Sequence, residues 1–318
     1  MKPELAVVIG TRNRREILEN CLNALIGKIR TDHQIIVIDA GSADGTIEYL
    51  QSIKGIHLVY DGRPIGQAQS YNRVFRSLDS QYICWLSDDN VVLPGMLDTA
   101  VNILGGNNKI GLVALKVKDV TGRHTDKPYL GGLYKTGILN CNQGVIRSDL
   151  FRKIGYFDES FKNYGIDPDV TTKVLLSGYR VVYTKALAIH HFRDHDFDEG
   201  AISKVERAKR KSQGRLKEKY HIKYPYLIDY NSSKNIAMLM RKFVYFCVKR
   251  RINHYNKKNL QVDTIAGINI RDWKNLTKGR YISIFDLFYN RKNPYYLEQN
   301  LPKKMLLSNK NPYKNLIK

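Results

Sequence analysis

The stretch Tyr82-Ile83-Cys84-Trp85-Leu86-Ser87-Asp88-Asp89-Asn90 decides the fold. A short run of apolar residues, strand-like in length and composition, ends abruptly in two adjacent carboxylates. Apolar runs without alternation belong to strands buried on both faces of a parallel sheet. The carboxyl ends of such strands are where open α/β sheets bind ligands. Two aspartates at that position repel unless something positive lies between them. A divalent cation holding a diphosphate meets that demand, because hard oxygen ligands suit Mg2+ or Mn2+. The plainer alternative is an Asx turn that closes the strand.

Working outward, the same rhythm repeats. Residues 5–9 read as a strand, 15–26 as a helix with apolar positions at helical spacing, and 34–39 as a second buried strand ending on Asp39. A loop over 41–46 leads into a helix over 47–52. A third strand follows at 56–60, a Gly/Pro loop at 61–66, and a helix at 67–78. Alternating βα units with tight loops predict a mainly parallel sheet flanked by helices. Beyond residue 90 the spacing predicts helices over 97–104, 148–154 and 169–177, with Ser148 as an N-cap. Strands are predicted over 111–117, 181–183 and 187–189, and the glycine-rich 131–144 as loop and strand.

The chain has 318 residues and a formal net charge of +22, very unevenly placed. Residues 201–318 hold 28 Lys+Arg and 7 Asp+Glu, a net of +21, so residues 1–200 are nearly neutral. This divides the chain into an α/β domain over 1–200 and a basic, mainly helical region over 201–318. The excess calls for an anionic partner. The four cysteines include no CxxC pair, which disfavours a disulfide framework or zinc ribbon and fits a reducing compartment. Residues 5–9 are too short for a signal-peptide core. The apolar region 236–248 is broken by Arg241 and Lys242 and cannot span a bilayer.

Several residues carry chemistry. Asp39 at a strand end is either a nucleotide contact or a turn acid. Gly66 opens a helix whose free N–H groups could face phosphate. Asp167 precedes Pro168, which suits the first turn of a helix, so the carboxylate belongs near the helix mouth, as a cap or as a general base. His190-His191 ends a strand, with Asp194, His195 and Asp196 beyond it; an imidazole there could complete a metal site.

Taken in order, these pieces resemble the family 2 glycosyltransferases. The matching segments are Val7-Val8-Ile9-Gly10-Thr11-Arg12-Asn13-Arg14, Ile36 to Thr46, Gly66 to Asn72, Leu86 to Asn90, Ile154 to Glu159, Gly165 to Asp169, and Ile189-His190. The resemblance covers residues 5–191 and not the last 120 or so. It implies the GT-A fold, a Rossmann-like mixed sheet, and inverting transfer from a nucleotide-diphosphate sugar, UDP-sugar being the commonest choice. By this match Asp167 is the catalytic base. Thr11, Asn13, Asp39, Asn72, Asp88 and Asp89 form the donor site, with Asp39 on the base and Asp88 beside the ribose or diphosphate. Asp89 and His190 would hold Mn2+ or Mg2+, with His191 competing by one register. The sequence departs from the family pattern at Ser87 (first acid of the aspartate-x-aspartate motif), Ile166 (commonly glutamate) and Tyr71 (commonly arginine).

The expected acceptor is a glycan or lipid-linked hydroxyl in surface polysaccharide synthesis, and the sugar is of hexosyl or N-acetylhexosaminyl type. Segment 236–252 mixes apolar and basic residues and could rest on an anionic membrane surface. The expected location is therefore cytoplasmic, with a peripheral contact at the inner face of the membrane. Aromatics among basic residues (Tyr220, Tyr224, Tyr226, Tyr230, Tyr281, Tyr289, Tyr295, Tyr296) stack on bases or sugar rings; nucleic acid is the less economical reading. Alternatives are a sugar nucleotidyltransferase, which would need a glycine run after the first strand, and a non-catalytic binding module with a degenerate GT-A domain.

Overall fold

A computed structural model describes residues 2–122, 125, 140–161, 164–193, 199–220, 264–265, 268–269, 295–301 and 306–317. The expected loop over 131–139, His195, the 236–252 segment and Tyr224, Tyr226, Tyr230, Tyr281 and Tyr289 lie outside the described residues.

The chain alternates β1 (Leu5–Thr11), α1 (Arg15–Asn23), β2 (His33–Asp39), α2 (Thr46–Ser52), β3 (Ile56–Tyr60), α3 (Gln67–Ser77) and β4 (Tyr82–Ser87). These are followed by β5 (Asn90–Val92), α4 (Met96–Gly105), β6 (Ile110–Asp119), β7 (Gly144–Arg147), α5 (Ser148–Lys153), α6 (Ile166–Leu176), β8 (Arg180–His191) and α7 (Glu199–Tyr220). A hairpin of β9 (Thr264–Ile265) and β10 (Ile268–Asn269) forms its own small sheet, and β11 (Tyr296–Gln299) rejoins the main one.

Among the described residues the main sheet has nine strands in the order β11-β8-β6-β7-β4-β1-β2-β3, with β5 paired to β8. β1 runs parallel to both β2 and β4, with Thr11 opposite Asp39 and Gly10 opposite Ser87. That register brings the ends of three strands to one edge. The sheet is buried on both faces, as the unalternating runs require. Ala6, Val8, Ile83 and Trp85 join one core cluster with α3, α5 and α6. Val7, Ile9, Cys84 and Leu86 join the other, with α1 and α4. The described cysteines Cys21, Cys84 and Cys141 are free and buried, packing as small hydrophobes.

Three local readings change. The expected strands over 181–183 and 187–189 are one twelve-residue strand, because β8 bends past irregularities in its pairing with β6 rather than stopping. Ser148 begins α5 instead of capping it: Arg147 holds the N-cap position, and no side chain caps the end. α6 starts at Ile166, three residues earlier than its pattern predicts, because Gly165 (φ 102) makes the left-handed turn that launches it.

The basic region is not wholly helical. β11 pairs antiparallel with β8, and Leu301 belongs to the main core. α7 likewise buries Leu216 and Tyr220 there. Among the described residues no helix is long and apolar enough to cross a membrane.

Candidate active site

A cleft of about 590 Å³ opens at the carboxyl edge of β1 and β4. Thr11, Asp88 and Asp89 form its floor, and Tyr164 and Asp167 line it from the start of α6. His191 and Arg193 line it from the end of β8. Asp89 and Asp167, 78 positions apart in the chain, thus share one cavity.

Asp88 is nearly enclosed. It accepts a hydrogen bond from Thr11 Oγ1 at 2.8 Å and an ion pair from Arg14 at 2.6 Å. Burial pushes its carboxyl up to about 6, against the pull of the Arg14 guanidinium. Asp89 lies between two cations: Arg14 at 3.5 Å and His191 Nε2 at 3.4 Å from the same carboxylate oxygen. Burial works to raise Asp89, but His191 and Arg14 together outweigh it and hold the carboxyl below its ordinary value.

His191 in turn rests on a second acid. Its Nδ1 meets Asp119 Oδ1 at 2.8 Å, and Arg193 pairs with the other oxygen at 2.8 Å. Burial alone would lower the imidazole; the two carboxylates overcome this and raise it to about 9. The chain Asp119–His191–Asp89 therefore fixes the ring, with Nε2 presented toward the cleft. A carboxylate that orients a histidine through its other nitrogen is the usual support of a metal-binding imidazole.

Asp167 is half-buried in the cleft wall. Loss of hydration pushes its carboxyl up to about 7, partly offset by the indole N–H of Trp85. Its neighbour in the motif, Ile166, is buried in the apolar core. Tyr71 explains its own departure from the family pattern. Its hydroxyl accepts from Gly10 N at 2.7 Å and donates to the Leu86 carbonyl at 2.6 Å, tying β1 to β4 under the cleft. A Cβ on Gly10 would lie 2.8 Å from the Tyr71 ring, so only glycine fits there.

Four expected site residues are placed differently. The residue facing Asp89 is His191, not His190; successive strand side chains point to opposite faces, so one position decides it. Asp39 is fully enclosed and accepts from Gly41 N (2.9 Å), Ser42 N (2.8 Å) and Ser42 Oγ (2.5 Å), shaping the loop beside the cleft. Asn13, exposed and in the left-handed region (φ 52), is a brace between loops: it donates to Ser42 and accepts from Ala43 N. Asn72 is buried against the 157–159 segment, donating to the Phe157 carbonyl and Glu159 (both 2.9 Å) and accepting from Phe157 N (3.0 Å). None of Asp39, Asn13 or Asn72 lines the cleft. Replacing Asn72→Ala would orphan the buried Phe157 amide and is expected to lower stability by about 2–3 kcal/mol; an unchanged denaturation midpoint would refute the clamp.

Sequence reasoning missed Asp119 and Arg193 and gave Arg14 no role of its own. The signal for Asp119 was available: it ends an apolar strand on an acid, as Asp39 does. Its partner His191 lies 72 positions away, so the pairing itself was not.

Residues that could hold a divalent cation are Asp89 and His191. Their facing atoms, 3.4 Å apart, are a hard oxygen and a nitrogen that a single ion can share after the imidazole gives up its proton. Among the described residues no cluster of three or more His, Cys, Asp or Glu side chains is set to hold a metal. Two protein donors still fit Mg2+ or Mn2+ in a diphosphate site, where substrate and water oxygens complete the shell.

The sequence profile of the family described as Glycosyl transferase family 2 matches residues 6–165. An uncharacterized glycosyltransferase of Rickettsia typhi is 27% identical over 192 residues, covering 54% of this chain and 59% of that protein. A putative teichuronic acid biosynthesis glycosyltransferase, TuaG of Bacillus subtilis, is 26% identical over 93 residues, 28% of this chain and 37% of that protein. The chain spans about half the length of the curated relatives it matches. Among solved structures, the mannosyltransferase PcManGT from Pyrobaculum calidifontis in complex with GDP-Man and Mn2+ is 19% identical, with a TM-score of 0.51 over 69% of this chain and 64% of that one. S. aureus TarS 1-349 in complex with UDP-GlcNAc is 18% identical, with a TM-score of 0.51 over 64% of this chain and 61% of that one. These two likenesses establish the GT-A fold.

Proposed function

Because the chain belongs to glycosyl transferase family 2, we propose that its cleft moves a sugar from a nucleotide-diphosphate sugar to a hydroxyl of a glycan or lipid-linked acceptor, with inversion. The observation that carries this reading is the meeting of Asp88, Asp89, His191 and Asp167 in one cavity from three separate parts of the chain. The floor is fit for a diphosphate, and the wall holds one acid with no ion-pair partner of its own among the described residues.

Asp167 takes the proton from the acceptor oxygen as that oxygen attacks the anomeric carbon. A carboxyl raised to about 7 is well matched to this task near neutral pH. Thr11 and Asp88 position the nucleoside side of the donor, and Arg14 holds Asp88 in place while adding positive charge beside the phosphates. Arg12 and Arg193, also on the lining, extend that field. Asp89 and His191 would hold Mn2+ or Mg2+; such a cation, when bound, neutralises charge developing on the departing diphosphate. Asp39, Asn13 and Asn72 serve the donor indirectly, by fixing the loops around it. Holding donor and acceptor together supplies much of the rate.

UDP-sugars are the first donors to test and GDP-sugars the second. A thermal-shift screen of both sets, with and without Mn2+, followed by assay of nucleoside diphosphate release, tests the proposal. A chain stabilised by none of them would refute it. Asp119 is proposed as the positioning residue of the metal site. Asp119→Asn is expected to weaken Mn2+ binding about 10- to 100-fold while leaving metal-free UDP binding near wild type. Calorimetric titrations that overlay for the two proteins would remove Asp119 from that role.

A further inference from the structure

The cleft does not by itself choose an acceptor, but the helix beside it narrows the class, an inference that takes its functional meaning from the glycosyltransfer reading. α7 is anchored by one face. Ser212, Leu216 and Tyr220, spaced four apart, are buried. Lys219 pairs with Asp158 at 2.5 Å and Asp169 at 2.7 Å, Tyr220 donates to Asp169 at 2.5 Å, and Arg215 donates to the Ser160 carbonyl at 2.6 Å. A Cβ on Gly165 would stand 3.0 Å from Ser212, so α7 abuts the turn that carries Tyr164 and launches Asp167. The helix is therefore a neighbour of the wall that holds the proposed base.

Its other face carries cations. Arg207 and Lys211 fall four residues apart, with Arg210 beside them, and all three are exposed. Residues four apart on a helix are surface neighbours, and like charges at that spacing repel. Glu218 is the single acid among the exposed side chains described from 207 to 219. An anion lying along the helix removes the repulsion. No exposed apolar side chain is described on this face, and the large apolar side chains described on α7, Leu216 and Tyr220, are spent on the core, so the described part of the face lacks what an interfacial membrane helix inserts.

We propose that this face of α7 is a docking track for an anionic acceptor polymer, bearing phosphate or carboxylate groups, whose terminal or side hydroxyl reaches Asp167. The track holds the polymer by charge, and the cleft selects the hydroxyl.

The test uses the full chain and dye-labelled linear polyphosphate as the probe, followed by fluorescence anisotropy across a salt series. The double variant Arg207→Gln/Lys211→Gln changes only exposed side chains, and circular dichroism checks that it folds. It is expected to bind polyphosphate at least tenfold more weakly, with a salt slope shallower by about 1.5, as loss of two phosphate-facing cations requires. Titration with UDP should give the same affinity in both proteins. Polyphosphate affinity within twofold of wild type in the double variant overturns the proposal. So does binding to phosphatidylglycerol vesicles that the double variant loses and that excess polyphosphate fails to displace from wild type, which would make the face a membrane contact. If polyphosphate binding depends on these cations but the chain binds no nucleoside diphosphate, the track stands and the glycosyltransfer reading falls.

Discussion

Asp167→Asn is expected to lower kcat by about 10²- to 10⁴-fold, the usual contribution of a positioned general base, while donor affinity stays close to wild type. The split between kcat and donor binding is the informative part, because an asparagine keeps the shape and loses only the proton acceptor. Two pH effects should accompany it. In wild type the base works only when ionised. With a carboxyl at about 7, kcat/KM should fall as pH drops through 7 and level off above it; the variant's residual activity should lose that limb. Stability should move the other way. The folded carboxyl is raised above its unfolded value, so the folded state holds the proton more tightly and the ionised form opposes folding at pH 8. Asp167→Asn removes that buried charge and should raise Tm at pH 8, with little change at pH 3. Unchanged turnover, or a lower Tm at pH 8, would contradict the assignment of this residue as the desolvated base.

The second large effect belongs to Asp89. Asp89→Ala is expected to abolish the increment in donor affinity that Mn2+ provides, a loss exceeding the 10- to 100-fold, roughly, that a supporting residue commands. Metal-free binding of UDP should not weaken. Removing this carboxylate leaves Arg14 and His191 with one fewer acid to neutralise them, which makes the floor more positive toward a diphosphate. Titrations of UDP with and without Mn2+ separate the two outcomes. Identical metal dependence in wild type and variant would place the cation elsewhere, and metal-free affinity lost in parallel would mean that Asp89 shapes the cleft rather than holds a cation.

The place of these two aspartates at the cleft was legible because each lies at a punctuation mark in the local pattern. Asp89 follows an apolar run, and Asp167 stands before a proline at a helix start. Asp39 was equally legible as a strand-end acid, yet its oxygens are engaged by Gly41 and Ser42. Position at a sheet edge says where a carboxylate is, not whether a ligand or a loop claims it. Asn72 shows the same limit more sharply. Its place on α3 follows from helical spacing, but its three partners come from a segment 85 or more positions away.

The sequence by itself determined the layered α/β architecture and the sheet edge at which the cleft opens. Those depend on apolar runs, periodicity and turn residues, which are properties of neighbours along the chain. Tertiary structure alone decided which of two adjacent histidines faces Asp89, that Asp119 steadies it, that Arg14 bridges Asp88 and Asp89, and that β11 returns to complete the sheet. Each of these turns on a strand register or on a pair of charges brought together from distant segments. Such matters are settled by packing and by the need of buried charges for partners, which no local pattern records.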